Sequence, residues 1–317
     1  AVYYIGLGYY DELGLYKTDD LVNYNSSIYY KRYSVTSNLT LKPTYTTTIK
    51  FGVQGYLANA NYPATGVGTI FDKAFFKTPI SIPPKYPDGK VSDERSGTLG
   101  NPYALLTQTG YANQWRNQLF SNLRITQDLP FITKGLSITG MFSFDAYNYY
   151  SARNTKTPDT WIATGRDLDG NLLYEQTFVG TEYLAYSKNN NGSRSIYGEF
   201  GVNYNRDFGL HSVSGMLLYN QSDEVNTQAT TLQNSLPYRF MGVSGRSTYG
   251  YATKYFVEFN FGYNGSENFD PGNRFGFFPS GGLGWVISNE SFFMPLEKIV
   301  QFAKLRLTYG LVGNSNI

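Results

Sequence analysis

The sequence of 317 residues contains no cysteine and a single histidine, His211. Without cysteine the chain has no disulfide scaffold, no thiolate metal site and no cysteine nucleophile. One histidine cannot build a multi-histidine zinc site, and no oriented catalytic partners lie near His211 in the sequence. We therefore expect no metal site, no cofactor and no catalytic residues, and the protein is not predicted to be an enzyme.

Charge and long apolar runs are also scarce. Charged residues make up 16% of the chain, against about 25% in ordinary globular proteins. The 26 Lys+Arg and 24 Asp+Glu leave a net charge of +2, which argues against an electrostatic nucleic-acid binder. No apolar run approaches the roughly 20 residues of a membrane helix.

Aromatic residues, in contrast, are abundant, with 30 Tyr and 22 Phe. Such a composition argues against a disordered chain. Many of the tyrosines lie near the ends of strand-like segments, where their apolar rings and polar hydroxyls suit a membrane interface. A single tyrosine of this kind fits the core of a soluble β protein better, but the collective pattern favours the aromatic girdles of a membrane barrel.

Apolar and polar residues alternate along most of the chain, and helical periodicity is nearly absent. Alternation with a period of two indicates strands with two different faces. Eleven such segments lie near residues 2–10, 32–41, 45–57, 117–129, 136–150, 194–206, 211–221, 241–250, 254–264, 276–287 and 302–311. Most are longer than the usual five or six residues of a soluble strand and match the roughly 9–11 residues of a tilted membrane-spanning strand.

Short and long connections alternate strictly between residues 32 and 287. The long connections are residues 58–116, 151–193, 222–240 and 265–275. Outer-membrane barrels show this asymmetry, with short periplasmic turns and long extracellular loops. The sequence therefore predicts an all-β protein, a transmembrane antiparallel β-barrel with long extracellular loops at these four places.

The long loops carry the candidate site residues, because long ordered loops are usually functional. In the loop at 151–193 we single out Trp161, Arg166, Tyr174 and Tyr183 as candidates for substrate contact. Their rings could stack on sugars or grip peptides; packing between loops that cap the barrel mouth is an equally good interpretation. The run Asp167–Asn171 starts like a calcium loop but lacks the later glycine and glutamate, so we predict a hairpin turn.

Several stretches resemble the SusC/RagA family of TonB-dependent outer-membrane transporters. The strongest is YFVEFNFGYNGSENFDPGNRFGFFPSGGLGWVISNESFF at residues 255–293. Four others are similar to family motifs: KLRLTYGLVGN at 304–314, NPYALL at 101–106, LPYR at 236–239 and VYYIGLGYYDELGLYK at 2–17.

That resemblance implies a barrel of 22 strands in the bacterial outer membrane, with an N-terminal plug domain. It implies a SusD-like surface lipoprotein as a lid, energy from the TonB complex, and oligosaccharides or peptides as substrates. The plug and the TonB box are not in this sequence. Because an open half-barrel would leave unpaired strand edges in lipid, we expect residues 1–317 to form part of a larger barrel domain.

Two other functions remain open at this point. One is a passive porin or an adhesin barrel, which would lack a plug and a lipoprotein partner. The other is a soluble carbohydrate-binding β protein, which would need no detergent for extraction. The sequence identifies neither the substrate nor the residues that contact it.

Overall fold

The fold is described here from a computed structural model, which covers residues 1–20, 22–78, 80–94, 99–296 and 298–313. Its main feature is one antiparallel sheet of eleven strands, which lie side by side in the order in which the chain reaches them. The strands are β1 (Val2–Leu13), β2 (Tyr29–Leu41), β3 (Thr47–Pro63), β4 (Gly110–Asp128), β5 (Leu136–Thr155), β8 (Ala185–Phe208), β9 (His211–Asn226), β10 (Tyr238–Tyr251), β11 (Tyr255–Ser266), β12 (Phe275–Val286) and β13 (Lys304–Gly310). Each of the eleven segments predicted from alternation overlaps one of these strands.

A separate hairpin of two strands, β6 (Thr160–Arg166) and β7 (Leu172–Phe178), lies between β5 and β8. It was not predicted as strands, but the turn at its tip was. Asp167 Oδ1 accepts hydrogen bonds from the backbone N–H groups of Asp169 (2.9 Å) and Asn171 (2.8 Å). Gly170 adopts a φ of 85°, in the region that favours glycine. The predicted hairpin turn is therefore confirmed.

The sheet has two different faces, as the register of β10 to β13 shows. Val257 lies between Tyr249 and Leu283, so apolar side chains share one face, which we call the apolar face. Glu258 lies between Thr248 and Gly282, on what we call the polar face. On the apolar face Val257 and Leu283 are 48% and 56% exposed. Such a long, exposed apolar surface is what a membrane barrel presents to lipid.

The sheet is open within the described residues, with β1 and β13 as its two edges. This arrangement confirms the predicted fold class, an all-β antiparallel barrel of which the chain forms a part. None of the helices in the described part of the chain is long and apolar enough to cross a membrane.

The strands extend further into the long connections than alternation indicated. The four long connections predicted at 58–116, 151–193, 222–240 and 265–275 are reduced to residues 64–109, 156–184, 227–237 and 267–274. β8 gives the reason, because its first part, YSKNNN at 186–191, is exposed and polar on both faces and carries no alternation. The connection at 14–28 lies at the same end of the sheet as these four, and we call that end the long-loop end.

The opposite end of the sheet carries short turns and one longer connection, between β12 and β13. That connection contains two 3-10 turns, Ile287–Asn289 and Ser291–Leu296. The tight turn between β10 and β11 places two non-glycine residues in the left-handed region, Ala252 (φ 51°) and Thr253 (φ 55°).

Most fully buried side chains lie in the long loops and at the adjoining strand ends. Loop 64–109 contains helices α1 (Val67–Phe76) and α2 (Pro102–Thr107); a third, α3 (Leu232–Ser235), lies between β9 and β10. α2 begins where Asn101 caps it: the Asn101 side chain accepts from the N–H groups of Tyr103 and Ala104. Ala104 and Leu105 on this helix are buried. The long-loop end therefore has a packed core of its own.

Candidate functional site

Loop 64–109 and the β6–β7 hairpin are joined into one unit at the long-loop end. The Trp161 N–H donates to the Val91 carbonyl (2.9 Å), and the Asp93 N–H donates to the Trp161 carbonyl (3.0 Å). The Ala163 N–H donates to the Tyr86 hydroxyl at 2.9 Å. These bonds fix the hairpin on the loop through its backbone, which leaves the Trp161 ring available for other contacts.

An aromatic cluster around one lysine forms where the two segments meet. We call it the loop cluster: Tyr86, Asp88, Lys90, Trp161 and Tyr174. The Lys90 Nζ lies 4.7 Å from the Tyr174 ring centroid and 5.8 Å from that of Trp161, within the range of cation–π attraction. The Tyr86 and Tyr174 rings meet edge to face at 5.0 Å. The cluster thus presents π surfaces and a cation together.

Ionisable groups in the loop cluster perturb one another. Lys90 Nζ lies 2.5 Å from Asp88 Oδ2, and this hydrogen bond lowers the pKa of the Asp88 carboxyl. Burial raises the pKa of the Tyr174 hydroxyl, and the charge of Asp88 adds to that shift. The cluster therefore places the paired Lys90 and Asp88 side chains beside two tyrosine rings, an arrangement that suits binding.

The buried carboxylate of Asp19 connects a third segment to this unit. Its Oδ2 accepts from the Gln108 side chain at 3.1 Å and from the Tyr103 hydroxyl, and Lys85 Nζ lies 3.6 Å from Oδ1. Burial raises the pKa of Tyr103, and its hydrogen bond to Asp19 adds to the shift. Asp19 lies in the connection 14–28, so this connection and loop 64–109 are held together.

The structure brings together two of the four predicted site residues. Trp161 and Tyr174 both lie in the loop cluster. Arg166 lies instead at the hairpin tip, where its Nη1 donates to the Gly170 carbonyl at 2.6 Å. Tyr183 follows β7 and is 77% exposed. Substrate contact by any of the four stays a prediction.

Sequence reasoning missed Tyr86 and Lys90 as cluster members. The one available signal was the turn-rich run PPKYPDG at residues 83–89, which lies within the long connection predicted at 58–116. Their pairing with Trp161 joins segments far apart in the chain, so no local pattern reveals it.

The polar face carries the charge pairs expected of a water-facing surface. Arg124 Nη2 lies 3.0 Å from Glu199 Oε1, and the Tyr197 hydroxyl donates to Glu199 Oε2 at 2.8 Å. Arg246 Nε lies 3.8 Å from Glu258 Oε1. No group of three or more His, Cys, Asp or Glu side chains in the described ranges is placed to hold a metal ion.

Known proteins similar in sequence are TonB-dependent receptors. TonB-dependent receptor P3 of Formosa agariphila is 26% identical over 96% of this chain and 31% of its own length. TonB-dependent receptor P39 of the same organism is 24% identical over 99% of the chain and 29% of its own length. TonB-dependent receptor SusC of Bacteroides thetaiotaomicron is 38% identical over 73 residues, which are 23% of this chain and 7% of that protein. No protein-family model matches the chain.

Solved structures with the same fold include the RagAB peptide transporter. It superposes with a TM-score of 0.61 at 17% identity, over 99% of this chain and 35% of the transporter chain. The RagAB peptide importer in its open-open state gives a TM-score of 0.61 at 17% identity, over 97% of this chain and 34% of the other. The resemblance to the SusC/RagA family is confirmed.

This SusC/RagA-like chain spans less than a third of the two Formosa relatives, at 31% and 29% of their lengths. Its family-like motifs occupy definite places in the fold. NPYALL provides the cap and first turns of α2, and residues 255–293 form β11, β12 and the turns that follow them. The motifs at these places therefore build both the long-loop core and the sheet.

Proposed function

We propose that this chain is part of the barrel of a TonB-dependent transporter that imports oligosaccharides or peptides across the bacterial outer membrane. One observation carries the proposal: nearly the whole chain, 99%, superposes on the RagAB peptide transporter with a TM-score of 0.61. The named relatives in sequence are receptors of the TonB-dependent class, and none is named as an enzyme.

The two faces of the sheet support a place in the membrane. The apolar face, with Tyr255, Val257, Phe259 and Tyr263 on β11, would contact lipid. The polar face, with its arginine–carboxylate pairs, would face the water-filled lumen. The long-loop end would then be extracellular, and the end with short turns periplasmic.

Import by such a protein is conformational and needs no covalent step. Substrate would be held between the long loops and a SusD-like surface lipoprotein that closes over them. A plug domain from another part of the protein would leave the lumen when the TonB complex pulls on it. The residues of this chain would supply the wall of the barrel and the loop surface under the lid.

The loop cluster is the part of this chain that we propose to contact substrate. Trp161 and Tyr174 offer ring faces that stack on sugar rings or on peptide side chains. Lys90 and Asp88 add one charge of each sign next to those rings. Arg166 and Tyr183, further out on the same segment, are proposed to contact the substrate from its solvent side.

The proposal is tested by uptake in cells that express the full-length protein. Fluorescent oligopeptides and oligosaccharides are offered with and without a proton gradient. We expect uptake of one class, dependent on the gradient. Uptake that continues unchanged without the gradient would contradict active import and would indicate a passive porin.

The site is tested in the same cells by replacing the two cluster rings. Trp161→Ala with Tyr174→Ala is expected to lower uptake about fivefold or more, the usual effect of losing an aromatic anchor. Leu168→Ala, at the fully exposed hairpin tip, is the matched control and should leave uptake unchanged. Equal uptake by the ring variants and the control would remove the loop cluster from the substrate path.

A further inference from the structure

The polar face has a groove over β12 in which positive charge exceeds negative charge. We call it the lumenal groove and define it by Glu258, Gly282, Lys304 and Arg306. Two adjoining cavities form it, of about 230 Å³ and about 340 Å³, and both are lined by Glu258, Gly282 and Arg306. Two cations, Lys304 and Arg306, and one carboxylate, Glu258, therefore line these adjoining cavities.

The groove exists because β12 carries glycines, which have no side chain, on the polar face at this point. Gly282 and Gly284 lie on β12 between Glu258 and Phe256 on one side and Thr308 and Arg306 on the other. A Cβ at Gly282 would lie 3.2 Å from Thr308 Cγ2 and 3.9 Å from Glu258 Cβ. Any larger side chain at Gly282 would therefore occupy the space between the charged residues. Glycine in a strand interior often marks such a close approach by a ligand or another backbone.

The groove has one carboxylate, Glu258, and its closest contacts are made by one oxygen, Oε1. Glu258 Oε1 accepts from the Asn260 side chain at 2.8 Å and lies 3.8 Å from Arg246 Nε. The Arg246 Nε itself donates to Asn260 Oδ1 at 3.0 Å. Each of these three side chains, Arg246, Asn260 and Glu258, therefore contacts the other two.

Neither of the two cations on β13 has a close contact with a carboxylate among the described residues. Arg306 Nη2 lies 3.9 Å from Glu258 Oε2, and 63% of the Arg306 side chain is exposed. Lys304 lies over the Phe256 ring at 5.1 Å and has no ion pair with a carboxylate among the described residues. The positive charges of Lys304 and Arg306 thus stay available to an anion that enters the groove.

We propose that the lumenal groove binds carboxylate groups of an extended acidic substrate as it passes through the barrel. This proposal rests on the proposed function and narrows its substrate class to acidic peptides or oligosaccharides that carry acid groups. Gly282 and Gly284 let the substrate backbone approach β12, while Lys304 and Arg306 bind its carboxylates. Charge-assisted hydrogen bonds from arginine and lysine to carboxylates are among the stronger ones in proteins.

The test is binding to purified full-length protein in detergent, with tetraglutamate and tetraglutamine peptides as probes. We expect tetraglutamate to bind about tenfold more tightly than tetraglutamine, and this preference should weaken as salt is raised. The variant with Lys304→Gln and Arg306→Gln should lose the preference. Gly282→Leu should weaken tetraglutamate binding without a change in charge.

Lys50→Gln is the matched control, because Lys50 lies on β3 on the polar face beside Arg124, far along the sheet from the groove. It should keep the preference for tetraglutamate. Equal binding of the two peptides by the wild type would overturn the proposal, and so would equal loss in Lys50→Gln and in the β13 variant. Uptake in cells separates the two proposals: selective binding without any import would refute the proposed function and support the groove.

Discussion

Glu290 joins two connections at the short-turn end of the sheet. Its Oε2 lies 2.9 Å from Lys254 Nζ, and its Oε1 accepts from the Tyr255 hydroxyl at 2.7 Å and from Trp285 Nε1 at 3.2 Å. These bonds, chiefly that from Lys254, lower the pKa of the Glu290 carboxyl to about 2. One side chain therefore holds the β12–β13 connection against the β10–β11 turn.

The charge of Glu290 gives an expected pH dependence. Folding lowers the pKa of Glu290, so its ionised carboxylate stabilises the folded state at pH values above the ordinary glutamate pKa of 4.5. This stabilisation is lost as the pH falls from 4.5 toward 2. Glu290→Gln is expected to lower the unfolding temperature of the full-length protein at pH 7 and to flatten its dependence on pH in that window. Circular dichroism at a series of pH values measures both.

Glu182→Gln, at an exposed loop position, is the control for Glu290→Gln and should follow the wild-type curve. If Glu290→Gln also followed the wild-type curve between pH 2 and pH 4.5, the proposed role of the carboxylate would be wrong.

The turn between β10 and β11 carries backbone strain that a substitution can relieve. Ala252 and Thr253 both have positive φ, at 51° and 55°, which costs a non-glycine residue about 1–2 kcal/mol. Asparagine tolerates this region well, so Ala252→Asn is expected to raise the free energy of unfolding by up to about 1 kcal/mol. Ala252→Val should lower it, because a β-branched residue fits the region poorly. Urea denaturation of the refolded full-length protein compares the two; equal stability would show that the turn is unstrained.

The β6–β7 hairpin is an element whose position depends on a few named contacts. Trp161 bonds to Val91 and Asp93 through its backbone, and Ala163 bonds to the buried Tyr86 hydroxyl. Tyr86→Phe removes the acceptor for the Ala163 N–H and keeps the ring. We expect this change to loosen the hairpin by about 1 kcal/mol, seen as faster amide hydrogen exchange in residues 160–178.

Tyr183→Phe is the matched control for Tyr86→Phe, because Tyr183 is 77% exposed and lies just beyond the hairpin. Exchange should be unchanged in this variant. Equal exchange rates in the two variants would mean that the Tyr86 hydroxyl does not hold the hairpin in place.

Strands could be predicted from the sequence wherever their two faces differ in polarity. β11 alternates Tyr255, Val257 and Phe259 with Glu258 and Asn260, so its existence and its faces followed from pattern alone. The start of β8 did not, because residues 186–191 are polar on both faces. Those residues gain their strand structure by pairing with β5, which continues to Thr155.

The loop cluster shows the limit of such reasoning for the site. Trp161 and Tyr174 were picked out as aromatic residues in a long loop, and both lie in the cluster. Their partners Tyr86 and Lys90 come from loop 64–109, and the contact depends on packing between segments. Arg166 bonds to the turn of its own hairpin instead, because a short-range partner was available at the tip.

The whole sheet fits the wall of a membrane barrel because its two faces differ in polarity along all of its length. Apolar side chains repeat on one face from Val35 on β2 to Leu307 on β13, while charged pairs such as Arg124 with Glu199 lie on the other. A soluble sheet with one face this exposed and apolar would associate or aggregate. The same alternation explains why the chain has few long apolar runs although half of each strand is apolar.

Nitroxide labels placed one at a time along β11 test this account most directly, in a cysteine-free full-length protein in lipid bilayers. These 317 residues already lack cysteine. The labels go at residues 257 to 261, and their collisions with lipid-soluble oxygen and with a water-soluble nickel chelate are measured. We predict strict alternation, with oxygen favoured at Val257, Phe259 and Phe261 and the chelate favoured at Glu258 and Asn260. Uniform accessibility along the strand, or oxygen preference at Glu258 and Asn260, would contradict the membrane barrel on which the proposed transport function depends.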